Sequence, residues 1–315
     1  MNILLIIPVI MLYSFQGIFM KMYSMNYTPN KEDSSTVYSV MNGLFVALFT
    51  LIFRFAFRGF GFALTPTIAI LVVVNVAAVF FFNKALVEAS ARGPYSEVSI
   101  FMLSGGIIIP LAVSLFYGEE LSLIRYIGIA VMFIAFVLLC FERGEKTERK
   151  PGFYAYCLAL AVANGIYGTI LNLEKEYEGG ANNDELIILS YFLAAIVSIT
   201  LLAVKSIRAA KPAEPEDVDT DGETPSLRAS LLAPYKINVK AALFAFGACA
   251  CTTIGINLLA LCLKYVNVGV LYTMENGGVM VAAALLSLAL FKEKIKLQKW
   301  IGIAVAAAST VLLTI

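Results

Sequence analysis

The chain has 315 residues, of which 60% are hydrophobic and only 14% are charged, and its formal net charge is +1. Soluble domains are about 45–50% apolar, so this composition excludes an ordinary soluble fold and indicates a protein whose solvent is the lipid bilayer. Histidine is absent, which excludes mechanisms that need an imidazole base or ligand, and a net charge near zero gives no sign of a nucleic-acid partner.

Ten apolar runs are long enough to cross a bilayer, which takes about 20 helical residues. The runs are continuous rather than alternating, so they predict helices and not a closed barrel. The first has no basic leader and no cleavage site, so we expect it to remain as a span. We predict an all-α membrane protein with ten transmembrane helices, near 3–22, 37–57, 63–83, 96–117, 123–141, 152–171, 184–205, 238–262, 269–291 and 298–315.

Two nearly identical segments indicate an internal duplication. YIGIAV occupies 126–131 and WIGIAV occupies 300–305, 174 residues apart, and Glu119 corresponds to Glu293 in the preceding turn. QGIF at 16–19 resembles NGIY at 164–167 at an offset of 148, and a long polar linker at about 206–236 explains the difference. We predict two five-helix repeats, 1–145 and 150–315. Five is odd, so the repeats have opposite orientations, and inverted repeats commonly build transporters around a midplane site.

The segment PLAVSLFYGEELSLIRYIGIAVMFIAFVLL at 110–139 resembles the end of an EamA-type repeat of the drug/metabolite transporter superfamily. The second copy, ALLSLALFKEKIKLQKWIGIAVAAASTVLL at 284–313, departs from this pattern, with Ala284 in place of Pro110 and Lys292 in place of Gly118. The resemblance implies a ten-helix carrier with a central cavity and alternating access. Such a carrier exports small metabolites or drugs without ATP.

Glu275, in YTMENGGVM, is the strongest candidate for a functional side chain. It lies about 9 Å into the ninth run, and a charge inside a spanning helix costs about 2.5–3.5 kcal/mol on insertion scales, so such residues usually face a cavity. Asn276 and the pair Gly277–Gly278 follow it and suit a polar cavity that other helices approach closely. The alternative is a carboxylate near a helix start, stabilised by the dipole and reached by water. Our hypothesis is that Glu275 binds a cationic group of the substrate or a coupling proton.

Other polar residues in the apolar runs are candidates for the same substrate cavity. Neutral side chains inside spans also form interhelical hydrogen bonds worth about 0.6 kcal/mol each, so both roles stay open for them. Glu97, at the very start of the fourth run, suits the membrane surface equally well. Besides Glu97, the candidates are the repeat-related pairs Gln16 with Asn164 and Asn83 with Asn257, together with Tyr13 and Tyr167.

The linker between the seventh and eighth runs contains KPAEPEDVDTDGETPS. Its start imitates a calcium-binding loop, but the twelfth position, which should be a bidentate Glu, is Arg228, and prolines flank it. We therefore expect a disordered, solvated connection. The five cysteines lie in apolar runs, where packing as small hydrophobic residues explains them better than a metal or redox pair. We predict no metal site and no cofactor.

The orientation of the chain stays open. Most of the 23 Lys and Arg residues fall in the odd-numbered connections, and the positive-inside rule then places both termini outside the cell. The resemblance to the family implies the reverse.

These features predict a secondary transporter of small organic solutes, an exporter or exchanger, in the cell (plasma) membrane. Its partners are the solute and the lipid bilayer, and amino acids, sugars, nucleosides and cationic drugs all suit the composition of the spans. The alternative is a non-transporting scaffold or receptor that acts through the acidic linker. A membrane enzyme would need clustered acidic residues at the membrane surface, and the one acidic cluster is the linker, so we predict no enzyme activity.

Overall fold

The computed structural model describes residues 5–28, 31–59, 61–116, 122–140, 149–209, 232–266, 268–291 and 297–314. Glu119, Glu293, the calcium-like motif and most of the predicted linker lie outside these ranges. Within them the chain forms two short 3₁₀ turns, Lys31–Asp33 and Ala233–Tyr235, and ten α-helices. The helices are α1 (Ile6–Asn26), α2 (Ser34–Arg58), α3 (Pro66–Arg92), α4 (Tyr95–Phe116), α5 (Leu123–Cys140), α6 (Phe153–Glu178), α7 (Asn183–Ala209), α8 (Val239–Leu263), α9 (Val268–Phe291) and α10 (Leu297–Thr314).

The all-α prediction is confirmed for the described residues, which contain no β-strand. Seven helices among them are long and apolar enough to cross a membrane, namely α1, α2, α3, α6, α7, α8 and α9. The other three contain shorter apolar stretches, Glu97–Pro110, Tyr126–Ala135 and Trp300–Ser309. Large apolar side chains also remain exposed, such as Phe57 at 76% and Val73 at 71%. Monomeric soluble proteins rarely expose extensive apolar surface, so these features indicate a multi-pass membrane protein.

Two side-chain caps start helices and also tie them to a neighbour. The Thr65 hydroxyl accepts a hydrogen bond from the backbone N–H of Ile68 at the start of α3, and it donates to Glu178 at the end of α6 at 2.7 Å. Asn238 caps α8 in the same way, and its amide donates to the carbonyl of Asn26 at the end of α1 at 2.8 Å. Each cap therefore holds the start of one helix against the end of another.

These ties belong to antiparallel pairs, α1 with α8 and α3 with α6. Helices α5 and α10 form a third pair, in which the Ser309 hydroxyl donates to the carbonyl of Gly128 at 2.7 Å and the Gln298 amide donates to the carbonyl of Leu138 at 3.0 Å. Gln298 lies near the start of α10 and contacts Leu138 near the end of α5, so these helices also run in opposite directions.

Helices α2 and α7 form a fourth antiparallel pair, with polar contacts at both ends. Near one end the Ser198 hydroxyl donates to Ser39 at 3.0 Å. Near the other end the guanidinium of Arg54 donates to both carboxylate oxygens of Glu185, at 2.6 and 2.9 Å, and the Glu185 side chain is only 1% exposed. A buried carboxylate needs such a partner, so this pair joins α2 firmly to α7.

Helices α4 and α6 run parallel and approach each other at small residues. A Cβ atom added to Gly105 would lie 1.9 Å from the carbonyl oxygen of Ala161, and one added to Gly165 would lie 2.6 Å from the carbonyl oxygen of Gly105. Small residues let membrane helices come this close. The contact fixes the position of Asn164, which lies between Ala161 and Gly165 on α6.

The described residues form two apolar clusters in the interior, one toward each end of the bundle. The first apolar cluster lies where α1 and α3 end and α6 and α8 begin, and the second lies where α1 and α3 begin and α6 and α8 end. Members of the first include Met20, Tyr23, Leu86, Phe153, Ala245 and Val279. Members of the second include Val9, Ile68, Leu171, Leu186, Leu263 and Leu271.

Candidate functional site

A cavity lies between the two apolar clusters, with about 690 Å³ of empty space including its mouth. Along α1 its lining residues come after Val9 of the second cluster and before Met20 of the first. Along α6 they fall likewise between Leu160 and Ile170. The cavity therefore sits near the middle of the helices, and we call it the central cavity. Its polar lining residues are Tyr13, Gln16, Asn164, Tyr167, Tyr191, Thr252, Tyr272, Glu275 and Asn276.

Glu275 and Asn276 form the most polar part of the central cavity. Both side chains are buried, at 6% and 2% exposure. The Asn276 amide donates to a carboxylate oxygen of Glu275 at 2.6 Å and to the backbone carbonyl of Tyr272 at 2.7 Å. Among the described residues that line the cavity, Glu275 is the one with a formal charge. Asn276 donates a hydrogen bond to the carboxylate, and the described lining residues include no lysine or arginine.

Gly106 brings two amide side chains close to the backbone of α4. A Cβ atom added there would lie 2.6 Å from Asn164 Nδ2 and 2.6 Å from Asn276 Oδ1. The Asn164 amide also donates to the carbonyl of Met102, one turn earlier on α4, at 2.9 Å. Since α6 and α9 each contribute one of these amides, Gly106 is the point where three helices meet at the wall of the central cavity.

Four tyrosine rings line the cavity from four different helices: Tyr13 on α1, Tyr167 on α6, Tyr191 on α7 and Tyr272 on α9. The rings of Tyr167 and Tyr191 meet edge to face, with centroids 6.4 Å apart. The Tyr272 hydroxyl donates to the backbone carbonyl of Gly168 at 3.1 Å, which joins α9 to α6. Aromatic rings from four helices therefore line the same cavity as the carboxylate.

The structure brings six of the nine predicted site residues to the central cavity, namely Tyr13, Gln16, Asn164, Tyr167, Glu275 and Asn276. It places the other three elsewhere. Asn83 accepts a hydrogen bond from Asn42 of α2 at 3.0 Å, with both side chains buried. Glu97 accepts two hydrogen bonds from Arg149 at 2.9 and 3.0 Å, at the start of α4.

Asn257, the third of these residues, lines a different space. Its amide donates to Thr50 of α2 at 3.2 Å and to the carbonyl of Thr253 at 2.8 Å. This second space lies between α2 and α8 and has about 1210 Å³ of empty space including its open side. Phenylalanines at 45, 49, 53 and 57, one per helical turn, border it. Asn257 therefore joins two helices beside an apolar crevice, away from Glu275.

Sequence reasoning missed three polar residues of the central cavity, Tyr191, Tyr272 and Thr252. Tyr272 had a usable signal, because it precedes Glu275 by three residues and so shares its helix face. Tyr191 and Thr252 lie in runs where nothing in the local pattern distinguishes the inward face. Within the described residues no group of three or more Cys, Asp or Glu side chains is placed to hold a metal ion.

Comparisons with known proteins identify the fold only. No family model matches this chain. No curated protein matches it either. A solved crystal structure of a protein covers 99% of this chain and 96% of its own length, with a TM-score of 0.58 and 15% sequence identity. At that identity the similarity shows a shared fold over nearly the whole chain.

Proposed function

We propose that this protein is a secondary transporter that moves small organic solutes across the plasma membrane by alternating access, as an exporter or exchanger. The observation that supports it is the central cavity, whose polar lining comes from helices of both predicted repeats and which lies between two apolar clusters. A solute site near the midplane, with a closable apolar region on each side, is the arrangement that alternating access requires.

The helix packing supports two inverted repeats within this proposal. If α1 to α5 correspond to α6 to α10, the antiparallel pair α1 with α8 corresponds to the pair α6 with α3, and both pairs occur. The contact of α4 with α6 likewise corresponds to that of α9 with α1. A helix paired with its own counterpart must run antiparallel to it, as α2 does with α7 and α5 with α10. An EamA-type repeat is the family that we propose for this arrangement.

Ten spans are also part of the proposal. Helices α4, α5 and α10 have 22, 18 and 18 residues. At about 1.5 Å per residue, 18 residues extend about 27 Å, close to the thickness of the hydrocarbon core of about 30 Å. These three helices are therefore long enough to complete the two five-helix repeats.

Counterflow tests this function. Purified protein in liposomes preloaded with an unlabelled solute is given the same solute in labelled form, for a panel of amino acids, sugars, nucleosides and organic cations. We expect transient accumulation of one solute class, which protein-free liposomes lack. Asn164→Leu should reduce it strongly because Asn164 lines the cavity, whereas Asn257→Leu should leave it unchanged. If folded protein, verified by size-exclusion chromatography, accumulates no solute of the panel, the transporter proposal is wrong for these classes.

Removal of residues 212–226 distinguishes a transporter from a scaffold. This deletion takes out the acidic part of the linker and leaves the ten described helices intact. We expect the shortened protein to retain counterflow at the wild-type rate. A scaffold or receptor that acts through the linker would instead show no counterflow before or after the deletion.

A further inference from the structure

We propose that the solute carried in the central cavity is an organic cation, with its positively charged group against Glu275 and among the tyrosine rings. This inference rests on the proposed transport function and names its substrate class. It follows from three features of the cavity: its charge, its aromatic walls and the apolar character of the remaining lining.

The charge of the cavity is the first feature. Glu275 is the one formally charged side chain among the described lining residues, and it lies at 6% exposure with an amide of Asn276 as its hydrogen-bond donor. Burying a carboxylate without an opposite charge is strongly unfavourable. A cationic group in the cavity supplies that opposite charge. An anionic solute would place two negative charges in a low-dielectric space, which excludes it.

The aromatic walls are the second feature. Tyr13, Tyr167, Tyr191 and Tyr272 approach the same space from four helices. Aromatic faces attract cations through their quadrupole, and cages of such rings recognise substituted ammonium groups. A methylated or otherwise substituted ammonium group suits these walls better than a hydrated inorganic ion.

The remaining lining is the third feature, and it describes the body of the solute. Val79, Leu103, Ile256 and Leu259 line the cavity from α3, α4 and α8. Their side chains offer contact area but no hydrogen bonds, so the part of the solute that lies against them is apolar.

A pair of ligands that match in shape and differ in charge tests the proposal on the full chain in detergent. Labelled phenyltrimethylammonium is the probe, and choline and 3,3-dimethylbutan-1-ol are the competitors, because they have nearly the same shape and differ in charge. We expect saturable probe binding that choline displaces at concentrations at least tenfold below those of the neutral alcohol. Equal displacement by both competitors would overturn the proposal.

Two variants identify the groups responsible. Glu275→Gln keeps a side-chain oxygen that can accept from Asn276 and removes the charge, so probe affinity should fall at least tenfold. Tyr191→Leu removes a ring and should weaken binding at least threefold, whereas Tyr191→Phe keeps the ring and should bind within about twofold of the wild type. Unchanged affinity in folded Glu275→Gln would refute the role of the carboxylate.

The counterflow panel separates this inference from the proposed function. Accumulation of organic cations that is lost in Glu275→Gln supports both. Accumulation of a neutral or anionic class that Glu275→Gln retains overturns the cation assignment and leaves the transporter intact. Accumulation of no class overturns the transporter and the cation assignment together. If Glu275 binds a coupling proton and the solute is not a cation, we expect the second result. Glu275→Gln would then change how transport depends on pH but not which class of solute accumulates.

Discussion

Replacing Gly105 by alanine tests the close contact between α4 and α6. The added Cβ would lie 1.9 Å from the carbonyl oxygen, 2.3 Å from the carbonyl carbon and 2.6 Å from the Cα of Ala161. Favourable carbon contacts lie at about 3.5–4.0 Å. Because all three neighbouring atoms belong to the main chain, no side-chain rotation can relieve the overlap, and the backbones of α4 and α6 must separate.

The size of the effect follows from what that separation disrupts. Overpacking of a buried contact costs about 1–3 kcal/mol, and a clash with backbone atoms belongs at the upper end of that range. The shift also lengthens the hydrogen bond from Asn164 to the carbonyl of Met102, now 2.9 Å. We therefore expect Gly105→Ala to lower the free energy of unfolding by about 2–3 kcal/mol.

Unfolding by dodecyl sulfate in mixed micelles, followed by the helical circular dichroism signal, measures this free energy. Gly61→Ala is the matched control, because no atom lies within 4 Å of an added Cβ there, and the smaller entropy of its unfolded chain should leave it unchanged or slightly more stable. If the two variants unfold alike, within about 0.5 kcal/mol, α4 and α6 do not pack as described.

Four further variants address the ion pairs and the amide outside the central cavity. Arg54→Ala should lower the free energy of unfolding by about 3–5 kcal/mol because it leaves Glu185 buried and unpaired, and Arg54→Lys, which keeps the charge, should lower it less in the same titration. Glu97→Gln should lower the free energy of unfolding by about 1 kcal/mol or less, since Arg149 is 26% exposed. Counterflow should be unchanged, and its loss would place Glu97 in the solute path. Asn83→Leu removes the hydrogen bond to Asn42 and should lower the free energy of unfolding by about 0.6 kcal/mol, and a folded variant that fails in counterflow would contradict its structural role.

The helices were predictable from the sequence because a span needs a continuous apolar run, but their ends were not. The first run was expected at 3–22, whereas α1 continues to Asn26. Tyr23 and Tyr27 are almost fully buried, at 0% and 2% exposure, and the Tyr23 hydroxyl donates to the carbonyl of Ser34 at 2.8 Å. The length of an apolar run matches the thickness of the hydrocarbon core. Tertiary contacts of this kind instead determine where the helix ends.

The sequence predicted how far along the helices the central cavity lies, but not which side of each helix faces it. In a soluble helix, polar residues mark the outward face, whereas in a membrane both the lipid face and the packed face are apolar. A polar residue such as Gln16 or Asn83 therefore shows that a partner exists, without showing which helix provides it. Gln16 faces the central cavity, Asn83 faces α2, and only the packing of the neighbouring helices distinguishes them.

The two apolar clusters have a consequence for how the rate of turnover depends on temperature. In the proposed transporter, the cavity opens to one side when one cluster parts and water reaches side chains such as Val9 and Leu171, or Met20 and Leu86. Exposing apolar surface to water raises the heat capacity, so the opening step should have a positive heat capacity of activation. Its activation enthalpy then increases as the temperature rises, and an Eyring plot of turnover should curve rather than follow a straight line. The curvature should change when a residue of either cluster that does not line the cavity, such as Leu86 or Leu171, is made smaller.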